Sequence, residues 1–194
     1  MPHVPLLGHG KCAKRTIGAN LDPHNPRDNY LVPTKTLIRE ATPTDAPQIV
    51  SLVRELAAYE HEPASAILTE EDILRDGFGP TPYFHCLIAE HEGEVAAFAL
   101  YFFQYSTWEG RPALYLEDLF VRERFRKRGI GKALFQCLAR IALDRHCTRF
   151  QWECLDWNQP GLDFYEANGA KVLREWLNLR ITGEALKALA ASNK

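Results

Sequence analysis

The chain has 194 residues, a formal net charge of −2, 46% hydrophobic residues and 25% charged residues. That length favours one domain with a sizeable core, and the balance is ordinary for a globular protein. The small net charge leaves no footprint for nucleic acid or an anionic membrane surface, and no apolar run reaches transmembrane length.

Residues 1–35 are rich in Pro, Gly, Asn and His and carry no apolar period, so a disordered leader is expected there. Ser is absent from it and Arg is sparse, which argues against a transit peptide, and Val4-Pro5-Leu6-Leu7 is too short for a signal peptide. Residues 36–194 are expected to form a single domain.

Thr36 to Arg39 reads as a first strand. Ile49, Leu52, Val53 and Leu56 keep helical spacing, which predicts a helix from about Thr44 to Tyr59. Thr69-Glu70-Glu71-Asp72 resembles a capping box opening a short helix that ends at Gly77. Phe84 to Glu90 and Val95 to Tyr105 read as strands joined by the hairpin signal His91-Glu92-Gly93-Glu94. Leu114 to Val121 is the next strand, Gly129 to Asp144 a helix, and Arg149 to Leu155 a strand. Pro160 to Asn168 reads as a helix with Gly169 just past its end. Val172 to Ile181 is strand-like, and Thr182-Gly183-Glu184 opens a last helix to about Ala191. Strands that meander and then alternate with helices predict an α/β fold, a mixed sheet with helices on both faces.

The five cysteines (Cys12, Cys86, Cys137, Cys147 and Cys154) include no Cys-x-x-Cys. Reduced core thiols in a cytoplasmic protein are expected. The histidines form no His-Glu-x-x-His and no Cys/His pair at zinc spacing, so no metal is expected.

The most informative stretch runs from Tyr115 to Leu134. It reads as a strand carrying Glu117 and Asp118, then a basic turn of Arg126, Lys127, Arg128, Gly129, Ile130 and Gly131 that leads into a helix. The first N–H groups of a helix are unsatisfied and favour a phosphate. Glycine lets the backbone come close to the ligand, and the cations suit a pyrophosphate. The turn is neither a P-loop nor a dinucleotide fingerprint. A solvated basic turn capping a helix stands as the alternative. Acids are depleted in strands. Among apolar neighbours at least one of the two risks burial, which raises its pKa toward that of a general base at neutral pH. Here the alternative is a carboxylate paired with Arg at a sheet end.

Arg126, Gly129 and Gly131 match the Arg/Gln-x-x-Gly-x-Gly/Ala motif, and the segment resembles the GNAT superfamily of N-acetyltransferases. Arg54-Glu55-Leu56-Ala57-Ala58-Tyr59-Glu60, Tyr115-Leu116-Glu117-Asp118, Asp156-Trp157-Asn158 and Phe164-Tyr165-Glu166 resemble its spermidine/spermine acetyltransferase branch, over about residues 36–190. The resemblance implies acetyl-CoA as acyl donor, a GNAT fold, a small-molecule amine substrate and a homodimer. It implies that backbone groups of Leu119, Phe120 and Val121 hold the pantetheine arm and that the turn from Lys127 to Lys132 holds the pyrophosphate. Asn158, Gln159, Pro160 and Gly161 would contact the cofactor further along. Tyr165 would be the general acid and Glu117 the base, acting through water. Glu60, Trp108, Asp118, Gln151 and Glu153 would line the amine pocket. The polyamine enzyme carries an Asp two residues before the Trp matching Trp108, where this chain has Ser106. Tyr105-Ser106-Thr107-Trp108 instead resembles the thialysine sub-branch, which shifts the expected substrate from spermine toward lysine-like amino acids, ornithine or diamines. The competing readings are a protein lysine or N-terminal acetyltransferase and a sensor that only binds acetyl-CoA.

Overall fold

The computed structural model describes residues 35–192, so the expected leader lies outside the described residues except for Lys35. The described residues fall into two compact units, one reaching Glu153 and the other starting at Cys154.

The first unit is a five-stranded sheet with β1 (Thr36–Glu40), β2 (His85–His91), β3 (Glu94–Ser106), β4 (Arg111–Val121) and β5 (Arg149–Trp152) side by side in chain order. The first four strands run antiparallel and β5 runs parallel to β4, which is the expected mixed sheet. The β2–β3 turn forms at the expected place, with Glu92 at φ 54° and Gly93 at φ 85°. Two central residues at positive φ match the right-handed twist of the strands they join.

Two helices precede β2: α1 (Ala46–Tyr59) and α2 (Glu70–Phe78). Ala46, Ile49, Val50 and Leu52 of α1 and Ile73 of α2 pack with Cys86, Ile88, Phe98, Leu100 and Phe120 on one sheet face. α3 (Ile130–Asp144) lies on the other face, where Phe135 meets Phe150 and Trp152 with ring centroids 4.7 and 5.0 Å apart. The capping box of α2 is present, with the Thr69 hydroxyl accepting from the Asp72 N–H and Asp72 accepting from the Thr69 N–H at 2.9 Å. The helix runs one residue past Gly77. This glycine is a packing position, since a Cβ on it would stand 2.7 Å from the Phe84 ring.

Arg39 of β1 ties the start of α1 to the sheet. Its guanidinium donates to both Asp45 carboxylate oxygens at 2.8 Å and to Glu90 at 2.6 Å. That pairing, with the Thr42 N–H at 2.7 Å, holds the buried Asp45 carboxyl down at about 2.

The second unit holds α4 (Gln159–Ala167) and α5 (Gly183–Ala191). The α4 N-terminus is capped by the Asn158 side chain, which accepts from the Gly161 N–H at 3.2 Å. At its other end Gly169 takes a φ of 89°. The expected strand from Val172 to Ile181 does not form, and these residues are irregular and exposed. An alternating pattern makes a strand only where a neighbour completes the ladder, and none pairs with this segment among the described residues. β5 likewise stops at Trp152 instead of reaching Leu155, because β4 pairs with it only from Ala113 to Leu116.

Candidate active site

The end of that pairing creates the site. Beyond Leu116 the β5-side edge of β4 has no strand partner among the described residues, while its other edge stays paired to β3 as far as Val121. Leu119 and Val121 therefore turn their backbone groups to an unpaired slot, where the Val121 carbonyl accepts from Arg126 Nε at 3.0 Å, while the Phe120 backbone faces β3. An extended amide-bearing chain can fill such a slot as a substitute strand. The β3–β4 register slips at the same point, with Leu100 opposite Asp118 but Tyr101 opposite Leu116. Glu117 is the extra residue of this bulge.

The bulge decides where the two acids go. Glu117 is exposed. Asp118 is half-buried on the α1 face, in the electrostatic reach of Cys86 and of Glu60, which caps the C-terminus of α1. Burial, followed by the negative charges of Glu117 and Glu60, pushes the Asp118 carboxyl up to about 7. Burial also raises the Glu60 carboxyl. Of the two acids, Asp118 is the one drawn partly into the core.

The basic turn lies just past the open edge. Lys127 takes a φ of 60° and Gly129, the N-cap of α3, a φ of 79°. Gly129 brings no side chain to cap the helix, and its carbonyl receives the first helical bond, from Ala133 at 3.0 Å. The N–H groups of Ile130, Gly131 and Lys132 thus start the helix without intrahelical partners. A Cβ on Gly131 would stand 3.5 Å from the Val121 side chain, an ordinary van der Waals contact, so this glycine packs beside the strand end without being required by space. Lys127, Arg128 and Lys132 are exposed around this helix start.

Arg126 is the exception among the basic residues. Its Nε donates to the Val121 carbonyl at 3.0 Å and its guanidinium lies over the Tyr59 ring, 4.7 Å from the centroid. Its charge is committed to fastening the turn onto β4, which spacing alone did not reveal. The signal was present in the neighbouring aromatics Tyr59 and Phe120, which offer ring faces to a cation.

The other expected site residues are more scattered. Gln151 on β5 donates to Gln104 at 2.6 Å, and Glu153 just past that strand is exposed. Trp108 stands 91% exposed in the β3–β4 turn. Leu100, opposite Asp118, lies six residues before Ser106 at the end of β3, roughly 20 Å of strand. Within one chain the fold brings Glu60, Glu117 and Asp118 together and carries Trp108 away from them. In the second unit Asn158 caps α4, Gln159 donates to Asp163 at 2.6 Å, and Pro160 and Gly161 form the first turn. Tyr165 sits half-buried on α4, edge-on to Phe164 with centroids 5.3 Å apart. Among the described residues no cluster of His, Cys, Asp or Glu could hold a metal ion. Cys86 and Cys137 are buried, and burial pushes the Cys86 thiol far above its usual range.

An open strand edge leading into a bare helix N-terminus ringed by cations, with a raised carboxyl beside it, is the frame of an acyl-carrier-dependent transferase. Residues 47–170 match the model of the acetyltransferase (GNAT) family, and the chain belongs to that family. It is 42% identical over 165 residues to the thialysine N-epsilon-acetyltransferase of Bos taurus, covering 79% of this chain and 96% of that protein. It is 37% identical over 163 residues to the human spermidine/spermine N(1)-acetyltransferase-like protein 1, covering 79% of this chain and 23% of that protein. Among solved structures, an integron cassette protein from V. cholerae superposes with a TM-score of 0.70 at 27% identity, over 81% of this chain and 99% of that one. The chain is an N-acetyltransferase on the spermidine/spermine acetyltransferase-like branch, a family whose acyl donor is acetyl-CoA. No helix among the described residues is long and apolar enough to cross a membrane.

Proposed function

We propose that this protein transfers the acetyl group of acetyl-CoA directly to a primary amine of a small molecule. The substrate class is a lysine-like amino acid such as thialysine or lysine, with ornithine and diamines as neighbours in size and charge. The active species is a cytoplasmic homodimer in which residues 36–194 work as one acetyltransferase domain. The observation that carries the reading is the β4 segment itself. Its open edge, its acid pair and its basic exit turn offer a slot for pantetheine, a base for the amine and a cradle for pyrophosphate on one continuous stretch. Similarity to a thialysine acetyltransferase supports the choice of amine.

A primary amine with a pKa of roughly 10.4 is about 0.04% neutral at pH 7, a barrier of roughly 4.6 kcal/mol. Glu117, exposed at the bulge, receives the proton through water, and Asp118, held up at about 7, is poised to share it. The negative charge around Asp118 and Glu60 also favours an ammonium as the arriving form. The neutral nitrogen then bonds to the acetyl carbon as the carbon–sulfur bond breaks. Backbone N–H groups of Leu119 and Val121 stabilise the charge that gathers on the acyl oxygen. Tyr165 donates a hydrogen bond and then a proton to the departing thiolate. None of the described cysteines lies on the β4 segment or in the basic turn, which favours transfer without an acetylated cysteine.

Thiol release from acetyl-CoA with thialysine, lysine, ornithine, diaminopropane and spermidine tests the reading. Release with one of the first three, and far less with spermidine, is expected. Tight acetyl-CoA binding with no release from any amine would make the protein a sensor instead.

A further inference from the structure

His91 is the one histidine among the described residues that is buried, 6% exposed at the end of β2. Both its ring nitrogens are engaged. Nδ1 lies 2.7 Å from the Thr36 hydroxyl oxygen, and Nε2 lies 3.4 Å from Nη1 of Arg128. A guanidinium only donates, so Nε2 must accept, and the ring proton sits on Nδ1 and is donated to Thr36. That pair of contacts needs the neutral ring with its proton on Nδ1. It stands edge-on to buried Phe125 with centroids 5.9 Å apart, and the Arg128 guanidinium lies over the same Phe125 ring at 5.9 Å. Arg128 is otherwise exposed. His91 and Phe125 thus give direction to a side chain that would sample many rotamers, and that ordering is a cost any ligand would otherwise have to meet.

Protonation reverses the arrangement. Both ring nitrogens then donate, the acceptor for Arg128 disappears, and two cations face each other. The other charged groups around His91 are Glu92, salt-bridged to Lys35 at 2.6 Å, and its cross-strand partner Glu94, salt-bridged to Arg124 at 2.5 Å. Both acids are paired with cations, and Glu92 also lies within electrostatic reach of His91 and Arg128.

We infer that His91 is a positioning residue for the basic turn: when neutral it holds Arg128 ready for a pyrophosphate, and when protonated it releases it. This rests on the reading of residues 127–132 as the cradle for coenzyme A. Affinity for the pyrophosphate end of the cofactor accordingly falls in mildly acid solution.

The test is calorimetric titration of the full chain with 3′-dephospho-coenzyme A, which lacks the phosphate monoester that itself titrates near neutrality. For the unaltered protein the dissociation constant is expected to rise roughly three- to tenfold from pH 8 to pH 5.5, the scale of one hydrogen bond. His91→Gln, whose amide oxygen accepts from Arg128 without titrating, should bind like the unaltered protein at pH 8 and keep that affinity at pH 5.5. His91→Leu should bind weakly at both; if it does not fold, the comparison with His91→Gln decides alone. A flat profile in the unaltered protein, or the same slope in His91→Gln, overturns the inference. Lys127→Ala separates the two layers. Weaker binding at pH 8 keeps the cradle standing even where the His91 result fails, whereas unchanged binding removes the cradle and the inference with it.

Discussion

The guanidinium of Arg126 lies over the ring of Tyr59, 4.7 Å from its centroid, while its Nε donates to the Val121 carbonyl at 3.0 Å. One side chain thus joins the end of α1, the end of β4 and the first residue of the basic turn. The motif arginine acts here as a fastener that sets the direction in which the turn leaves the strand.

Arg126→Lys keeps the charge but loses the guanidinium's contact with the Tyr59 ring and the directed Nε bond. We expect a loss of about 1 kcal/mol in stability, read from the urea midpoint, together with a higher KM for acetyl-CoA. An unchanged midpoint and KM would remove Arg126 from both roles.

Asp118 gives a pH signature. A carboxyl held at about 7 in the fold, against about 3.9 in the unfolded chain, disfavours the fold by about 4 kcal/mol once ionised. That cost is absent below pH 4 and complete above pH 7. Asp118→Asn should therefore match the parent protein's Tm near pH 4 and exceed it increasingly up to pH 7, with reduced turnover throughout. A Tm difference that does not vary with pH would contradict the buried, raised carboxyl.

Asp45 behaves in the opposite sense. Its carboxyl is lowered to about 2 by Arg39, so its contribution of about 2 kcal/mol is present above pH 4 and lost as the pH falls toward 2. Asp45→Asn should destabilise the protein at pH 7 by roughly 2–3 kcal/mol, less than the full cost of breaking a buried pair because Glu90 still faces Arg39. The variant should also lose less stability than the parent between pH 4 and 2, as followed by circular dichroism.

Tyr165→Phe removes only a hydroxyl. Turnover should fall roughly 10²-fold or more while acetyl-CoA binding is kept. Turnover within twofold of the parent would end the assignment of Tyr165 as general acid.

Most of the sheet and helix order was legible because periodicity and punctuation agreed. Thr69 with Asp72 and Glu92 with Gly93 act through bonds and backbone angles spanning only a few residues. What escaped was set by distant neighbours. The 172–181 segment has the right alternation but no described ladder partner, and β5 stops early for the same reason. In the site, Glu117 and Asp118 stood out as acids in an apolar strand. Which of them is buried depends on a bulge opposite Leu100 and Tyr101, more than a dozen residues back along the chain, where no local pattern records it. His91 looked like a hairpin residue, and its contact with Arg128 spans 37 positions.

The unpaired edge of β4 has one more consequence. A bare strand edge can accept a strand from another molecule, and the protein has to keep that from happening. A ligand lying along Leu119 to Val121 would cover the edge and block such sheet-to-sheet joining. Acetyl-CoA should therefore act as an anti-aggregation additive as well as a substrate, lengthening the shelf life of concentrated protein by more than its effect on melting temperature alone would suggest.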